Sequence, residues 1–441
     1  MKVLKFGGTS VGSPENMRKV AAILAEVEGP KVVVLSAMSG TTNALVSLSN
    51  NFDQHENIKA LESIDELEER YHEVISDLLN LEASYQEALS FLDERFEFLR
   101  SFAVSTQYSS LERKNWILAQ GELISTKLFS LFLETINKKA CLIPALDFMQ
   151  TDRQGEPDQS NIALNLNQVF EEHSTCDTYI TQGFICLDYL GKISNLDRGG
   201  SDYTASLIGA AIGADDIEIW TDIDGMHNND PRFVNKTRSI SEISFEEAAE
   251  LAYFGAKILH PQSVFPAMEK NIPVWLKNTF KPEALGTKIS GDAPEKKYTS
   301  VAAKDGITAI RIKSYRMLMA YGFLKSVFEI FERHHTSIDM ITTSEVAVSL
   351  TIDDDRYLSQ IIKELDHLGK VEIDQNQSII CIAGNFNQDN KGVSAPILEA
   401  LSDVSVRMIS YGGSEHNVSV LIDSRDKKGA LQSLNKNLFN L

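Results

Sequence analysis

Apolar positions recur in two rhythms along the chain. Residues 2–6, Lys-Val-Leu-Lys-Phe, read as a short strand, and Lys31 to Leu35 carries Val-Val-Val-Leu, a continuous apolar run suited to burial on both faces. Between them Met17, Val20, Ile23, Leu24 and Val27 repeat at helical spacing. Ser13-Pro14 supplies an N-cap followed by proline at the first helical position, and Gly29-Pro30 stops the helix. A strand–loop–helix–strand unit predicts a parallel sheet with helices on both faces.

The rhythm then changes. Leu61, Ile64, Leu67, Tyr71 and Ile75 make one helical stripe, and Tyr85, Leu89, Leu92, Phe96 and Leu99 another. They predict a helical hairpin, set in a helical insertion over 53–114. From about 115 to 290 strands return at Leu142–Ala145, Tyr179–Thr181, Ile217–Trp220 and Ile272–Leu276. Residues 286–298, with Gly291-Asp292-Ala293-Pro294, read as a linker.

Beyond it, strand-like runs at 307–313, 336–340, 345–352 and 369–374 alternate with helical stripes at 322–334 and 356–367. That order is βαββαβ, a ferredoxin-like module. A second copy starts at 377 but reaches Leu441 one strand short. Tyr298 to Lys304 is the obvious donor of the fourth strand, which would insert the first module within the second. The expected domains are therefore 1–292, 305–376, and 298–304 together with 377–441.

Composition narrows the function. The 441 residues include 42 Lys or Arg against 62 Asp or Glu, a net charge of −20. Such acidity excludes a sequence-independent nucleic-acid binder, which needs a basic face to displace counterions. Half of the excess, 14 acidic against 4 basic residues, falls within 53–100, the hairpin. No apolar run approaches the ~20 residues of a membrane-spanning helix. A charge and early glycines in Met1-Lys2-Val3-Leu4-Lys5-Phe6-Gly7-Gly8 argue against a signal peptide. Cys141, Cys176, Cys186 and Cys381 form no Cys-x-x-Cys pair and are too few for a disulfide scaffold, which suits a reducing cytoplasm.

Chemistry gathers where glycines meet helix starts. Gly7-Gly8-Thr9-Ser10 follows the first strand, and backbone N–H groups there can approach a phosphate. Lys5, one position before the strand's end, can aim its ammonium at a transferring phosphoryl group; alternatively it is a surface lysine. Arg198-Gly199-Gly200-Ser201-Asp202 opens a second helix; Ser201 or Asp202 could be a simple N-cap, whereas Arg can grip a carboxylate with two parallel hydrogen bonds. Thr221-Asp222, followed by Asp230-Pro231-Arg232, lies beyond a strand end, where ligands of open α/β sheets bind. Glu122 sits at an expected helix start, where a glutamate ordinarily serves the helix dipole. Lys257 offers a further cation, and His260, before Pro261, reads as a capping or core histidine. No His/Cys cluster has metal-ligand spacing, so any metal is expected to be Mg2+ carried by a nucleotide.

Taken together these segments resemble the aspartate kinases of the amino-acid-kinase superfamily. Lys5-Phe6-Gly7-Gly8-Thr9-Ser10-Val11, Arg198-Gly199-Gly200-Ser201-Asp202, Asp230-Pro231-Arg232 and Gly255-Ala256-Lys257-Ile258-Leu259-His260-Pro261 match in order. The resemblance implies a three-layer α/β/α sandwich around a mainly parallel sheet, followed by two ferredoxin-like ACT domains. It implies ATP-dependent phosphorylation of the L-aspartate β-carboxylate to 4-phospho-L-aspartate, the first step of the lysine, threonine and methionine pathway. Lys5 and Asp202 would be catalytic. Ser36, Ala37, Thr42, Glu122, Arg198 and Ser201 would hold aspartate. Lys5, Gly7, Gly8, Thr9, Thr221, Asp222, Arg232 and Lys257 would serve ATP with Mg2+. His227 stands where the family usually has an aromatic residue.

In the first module, Met317, Gly322, Phe323, Leu324, Ile338, Asp339, Ser344 and Glu345 would bind an effector, and the resemblance is nearest to lysine-inhibited members. Helix-start N–H groups at Gly322 suit a carboxylate, and Asp339 and Glu345 suit ammonium groups. ACT modules commonly pair edge to edge, so a homodimer or higher homo-oligomer is expected. A kinase for glutamate, acetylglutamate or a nucleotide, and a non-catalytic amino-acid sensor, are the competing readings. The Arg198/Glu122 pair and the C-terminal modules speak against the first, and intact Lys5 and Asp202 against the second.

Overall fold

The computed structural model describes every residue except Thr106, Asp197, Arg198, 255–258, 318–320 and Gln388. The chain forms two compact units, Met1–Met226 with Leu259–Ala293, and His227–Ile258 with Pro294–Leu441.

In the first unit the strands run in the order Cys141–Leu142, Thr178–Gln182, Lys31–Leu35, Lys2–Phe6, Ile217–Thr221, Val274–Asn278, Thr287–Ile289. All pair in parallel except the last. Lys2–Phe6 lies between Lys31–Leu35 on one side and Ile217–Thr221 on the other. The chain leaves it in one direction and later returns on the opposite flank. That is a topological switch point, and a crevice opens beyond the carboxyl end of such a strand. Val3, Leu4 and Phe6 are fully buried, as a central strand requires.

The helices follow from local signals. Ser13 caps Pro14–Glu26, its hydroxyl accepting from Asn16 N at 3.2 Å. The hairpin consists of Asn57–Leu78 and Glu82–Ser101. Ile64, Leu67, Tyr71 and Ile75 meet Ala88, Leu92, Phe96 and Leu99 in its apolar interior. Arg100 reaches back to Glu68 and, at 2.7 Å, to Asp65, so part of the acidic surface is internally neutralised.

Glu122 does not begin a helix; it lies midway along Ser110–Thr135. Ser109 starts that helix through a capping box with Glu112. Gly121, inside that helix, is a close-approach site: a Cβ there would fall 2.7 Å from Ala37 Cβ. The stretch read as a linker from 286 contains Thr287–Ile289, paired antiparallel with Val274–Leu276. The strand expected at Leu142–Ala145 is confined to Cys141–Leu142, with a 3-10 turn at Ala145–Asp147. Cys141 and Cys176 are joined by a disulfide across 35 residues. No local spacing announces it; parallel pairing of Cys141 with Tyr179 brings the two sulfurs together.

The second unit holds a six-stranded antiparallel sheet, ordered Ile341–Thr343, Ala347–Ile352, Ser300–Lys313, Lys370–Ala383, Asn417–Asp423, Val406–Tyr411. Its two central strands have 14 residues each. Residues 308–313 pair with 347–352, whereas Ser300–Lys304 pair with Ile379–Ala383. The register shifts between Lys304 and Ile307 divide the two halves. Phe323–Arg333 and Leu358–Leu365 cover one half, packing Val327, Phe331, Ile361 and Leu365 on Ile310, Ile312, Val348 and Leu350. Ala395–Ala400 and Lys427–Phe439 cover the other, packing Ile397, Leu431 and Leu434 on Val301, Ile380 and Val420. The strand expected at 336–340 is displaced to Ile341–Thr343. The runs at 369–374 and 377–383 are one continuous strand.

Candidate active site

A cavity of about 350 Å3 lies at the switch point of the first unit, lined by Gly8, Thr9, Ser36, Ala37, Met38, Ser39, Gly40, Thr42, Glu122, Phe184, Gly200 and Ser201. Two helices begin there, Thr41–Asp53 and Gly200–Ile212. Each N-terminus presents free N–H groups and positive potential to a negatively charged ligand.

Lys5 leaves the central strand with its side chain 11% exposed, and its ammonium lies 2.7 Å from Asp202 Oδ1. Asp202 stands in the first turn of Gly200–Ile212. Gly7 N donates to Trp220 O at 3.1 Å, folding the glycine turn against the neighbouring strand. A Cβ on Gly8 would fall 2.9 Å from Ala37 O, so only glycine fits between the two loops. Phe6 stacks on Trp220 with ring centroids 5.8 Å apart beneath this turn.

Glu122, which also lines the cavity, is buried, and its Oε1 accepts from Ala37 N at 3.1 Å. Burial pushes the Glu122 carboxyl up to about 8, against the opposing pull of the Ala37 hydrogen bond and the nearby Lys5 charge. Ser36 Oγ donates to Ser201 Oγ at 2.9 Å, linking the loop after the second strand to the helix start. Ser125 holds Ser36 O at 2.8 Å, and Gln182 holds Thr126 Oγ1 at 2.8 Å. Gly183 is required by space: its Cβ would lie 2.3 Å from Ser201 Cβ and Oγ.

Gly8, Thr9, Ser36, Ala37, Thr42, Glu122 and Ser201 thus line one cavity, and Lys5, Gly7 and Asp202 adjoin these residues in the chain. Thr221 ends the strand beside Lys2–Phe6, with Thr221 Oγ1 donating to Asp222 Oδ1 at 3.0 Å. Arg198 and Lys257 lie outside the described residues. In the second unit, Arg232 Nε and Nη2 grip Asp230 at 3.0 and 2.6 Å. His227 Nδ1 is 3.0 Å from Thr237 Oγ1. His260 caps Pro261–Glu269 through Gln262 N, as its place before Pro261 suggested.

The sequence reading missed Met38, Ser39, Phe184, Ser125, Thr126 and Gln182. The Thr-Gln-Gly-Phe run at 181–184 carried a signal in its glycine. The others are single polar or apolar residues with no local pattern.

Of the expected effector residues, Gly322 precedes Phe323–Arg333 in a left-handed conformation. Met317, Phe323 and Ile338 pack against that half's core, and Leu324 is partly exposed. Ser344 and Glu345 form the turn between Ile341–Thr343 and Ala347–Ile352. Asp339 is already engaged by Lys304 and Tyr253.

A mainly parallel sheet, a glycine turn at its switch point and a lysine–aspartate pair beside two helix starts define a phosphotransferase of the amino-acid-kinase type. The amino acid kinase family model matches residues 1–278, and an ACT domain model matches residues 380–438. Over 449 residues the chain is 35% identical to lysine-sensitive aspartokinase 3 of Escherichia coli, covering 99% of both chains. It is also 35% identical to the chloroplastic aspartokinase 1 of Arabidopsis thaliana, over 99% of this chain and 80% of that one. E. coli aspartokinase III in complex with aspartate and ADP superposes with a TM-score of 0.85 at 33% identity, each chain covered completely. The Clostridium acetobutylicum aspartate kinase gives 0.83 at 27% identity, over 99% of this chain and 100% of that one. The chain belongs to the aspartokinases of the amino acid kinase family, phosphotransferases that act on aspartate.

Proposed function

We propose that the protein transfers the γ-phosphoryl group of ATP to the β-carboxylate of L-aspartate, giving 4-phospho-L-aspartate and ADP. The observation that carries this reading is the Lys5–Asp202 pair at 2.7 Å, next in the chain to Ser201 of a cavity that the buried Glu122 also lines. An aspartate side chain has a pKa near ~4, so the acceptor is already a nucleophile at neutral pH and needs no general base. The remaining work is alignment and neutralisation of charge.

In this reading the turn after Phe6 holds phosphate oxygens through the Gly8 and Thr9 N–H groups, Gly7 N being bonded to Trp220 O, with Thr221 and Asp222 at the adjoining strand end. Lys5 swings from Asp202 onto the transferring phosphoryl group, whose equatorial oxygens carry the charge. Asp202 keeps the ammonium aligned and desolvated until then. When bound with the nucleotide, magnesium would supply neutralisation of the phosphate charge. Glu122 faces the α-ammonium of aspartate, and Ser36, Ala37, Thr42 and Ser201 line the amino acid's pocket. Fluorescence or calorimetric titration of aspartate against wild-type and Glu122→Gln protein tests that placement. Unchanged affinity would remove Glu122 from it.

The regulatory part is proposed on the same footing. We infer a kinase domain over 1–292 and two ACT modules, the first inserted within the second; pairing of Ser300–Lys304 with Ile379–Ala383 supports the insertion. A lysine effector is proposed at Met317, Gly322–Leu324, Ile338–Asp339 and Ser344–Glu345. The support is the likeness to a lysine-sensitive relative, and to the E. coli enzyme in complex with lysine and aspartate, with a TM-score of 0.82 at 33% identity. The place proposed is the cytoplasm, as a homo-oligomer built through the C-terminal modules. Among the described residues no helix is long and apolar enough to cross a membrane.

A further inference from the structure

The Asp339 side chain is fully buried, and its two oxygens are treated unequally. Oδ1 accepts from the Tyr253 hydroxyl at 2.7 Å and from Lys304 Nζ at 2.9 Å. Oδ2 is buried without a hydrogen-bond partner among the described residues. Lys304 Nζ also lies 2.8 Å from Asp353 Oδ2 and 4.4 Å from the centre of the Tyr253 ring. One ammonium therefore serves two carboxylates, and the cluster carries a net charge of −1.

Burial alone would lower the Lys304 ammonium, but the two carboxylates outweigh it and hold it above its usual value. Burial pushes Asp339 up, which the hydrogen bonds from Tyr253 and Lys304 only partly oppose. A buried carboxylate with an unmatched oxygen is costly, and one further ammonium would relieve it. Two ammonium groups on one buried carboxylate would repel each other strongly at low effective dielectric. Asp353 gives Lys304 somewhere to go.

We propose that Lys304 is an internal competitor for the effector's ammonium group: it occupies Asp339 until an amino-acid effector takes that carboxylate and transfers Lys304 to Asp353. This rests on the reading of Asp339 as an effector ligand. The Tyr253 hydroxyl bond is remade in the exchange. Because Tyr253 ends the helix Phe245–Tyr253, that helix registers which ammonium is bound. The effector sensitivity of the module is then set by a residue of the strand Ser300–Lys313, outside the segments that contact the effector.

The test is titration of L-lysine, and separately L-threonine, into the full-length protein. Binding is read by calorimetry, and inhibition relative to each variant's own uninhibited rate. For Lys304→Met the half-inhibiting concentration falls by about fivefold or more, the low end of ordinary coupling between sites. Asp353→Asn removes the fallback partner and raises that concentration. Opposite signs are not expected of residues that only stabilise the fold. If Lys304→Met does not fold, Asp353→Asn alone decides. Unchanged or weaker effector binding by Lys304→Met, or unchanged or tighter binding by Asp353→Asn, overturns the competition while leaving the effector site standing. If wild type and both variants bind neither amino acid, the effector reading itself fails.

Discussion

Lys5 Nζ and Asp202 Oδ1 are 2.7 Å apart although 197 residues separate them in the chain. One leaves the central strand of a parallel sheet, and the other stands in the first turn of the helix Gly200–Ile212. Removing the ammonium deletes a charge contact to the transferring group and strands a half-buried carboxylate. Lys5→Ala is expected to lower kcat by about 10²-fold or more, the usual cost of one transition-state charge contact. Steady-state kinetics at saturating aspartate and ATP check this, and a near-normal kcat would remove Lys5 from its role.

Glu122 sets a pH dependence. Its carboxyl is pushed up to about 8 by burial, so in the free enzyme it is mainly protonated at pH 7. A bound α-ammonium favours the carboxylate, so aspartate binding releases a proton, and binding strengthens as pH rises toward 8. The apparent KM for aspartate is expected to fall about fivefold from pH 7 to 8 and to level off above that. Glu122→Gln should raise KM and flatten the profile. A KM that rises over this window in the wild type would contradict the assignment.

Gly183 offers a steric test. An alanine methyl there would fall 2.3 Å from Ser201 Cβ and Oγ and would push that residue off Ser36. Gly183→Ala should cost about 1–3 kcal/mol of stability by overpacking and should raise the aspartate KM. Gly209→Ala is the comparison: its methyl would fall 2.5 Å from Ile217 Cδ1, the far end of a core side chain. It should lower the melting temperature without moving KM. Equal effects on KM would show that Gly183 acts only through stability.

The disulfide between Cys141 and Cys176 closes a loop of 35 residues at the sheet edge. Constraint of the unfolded chain by such a loop is worth about 2–4 kcal/mol. Oxidised protein should therefore melt several degrees above protein held in reductant, with kcat alike in both forms. In a reducing cytoplasm the pair would be a dithiol. Calorimetry with and without reductant decides, and identical melting curves would show that the bond adds nothing.

Much of this architecture was legible locally. Ser13-Pro14 marked the first helix, the stripe from Leu61 to Ile75 marked the hairpin, and Lys5, Gly7, Gly8, Ser201 and Asp202 stood out because glycine turns beside strand ends have few other uses. What escaped depends on distant partners. Glu122 was expected at a helix start, and the reason for the glycine before it, the approach of Ala37 to Gly121, lies 84 residues away. Thr287–Ile289 was too short for any alternation to appear. Asp339 read as a free effector ligand because nothing near it in sequence announces Lys304 or Tyr253. Gln182 ends the strand Thr178–Gln182, whose register its neighbours fix, and Phe184 follows in the turn before Ile185–Leu187.

A coupled assay of ADP release tests the identity of the phosphoryl acceptor most directly. With ATP and Mg2+ present, L-aspartate should support turnover, and glutamate and acetylglutamate should support little or none. Turnover with glutamate or acetylglutamate in preference to aspartate, or none with aspartate at all, would contradict it.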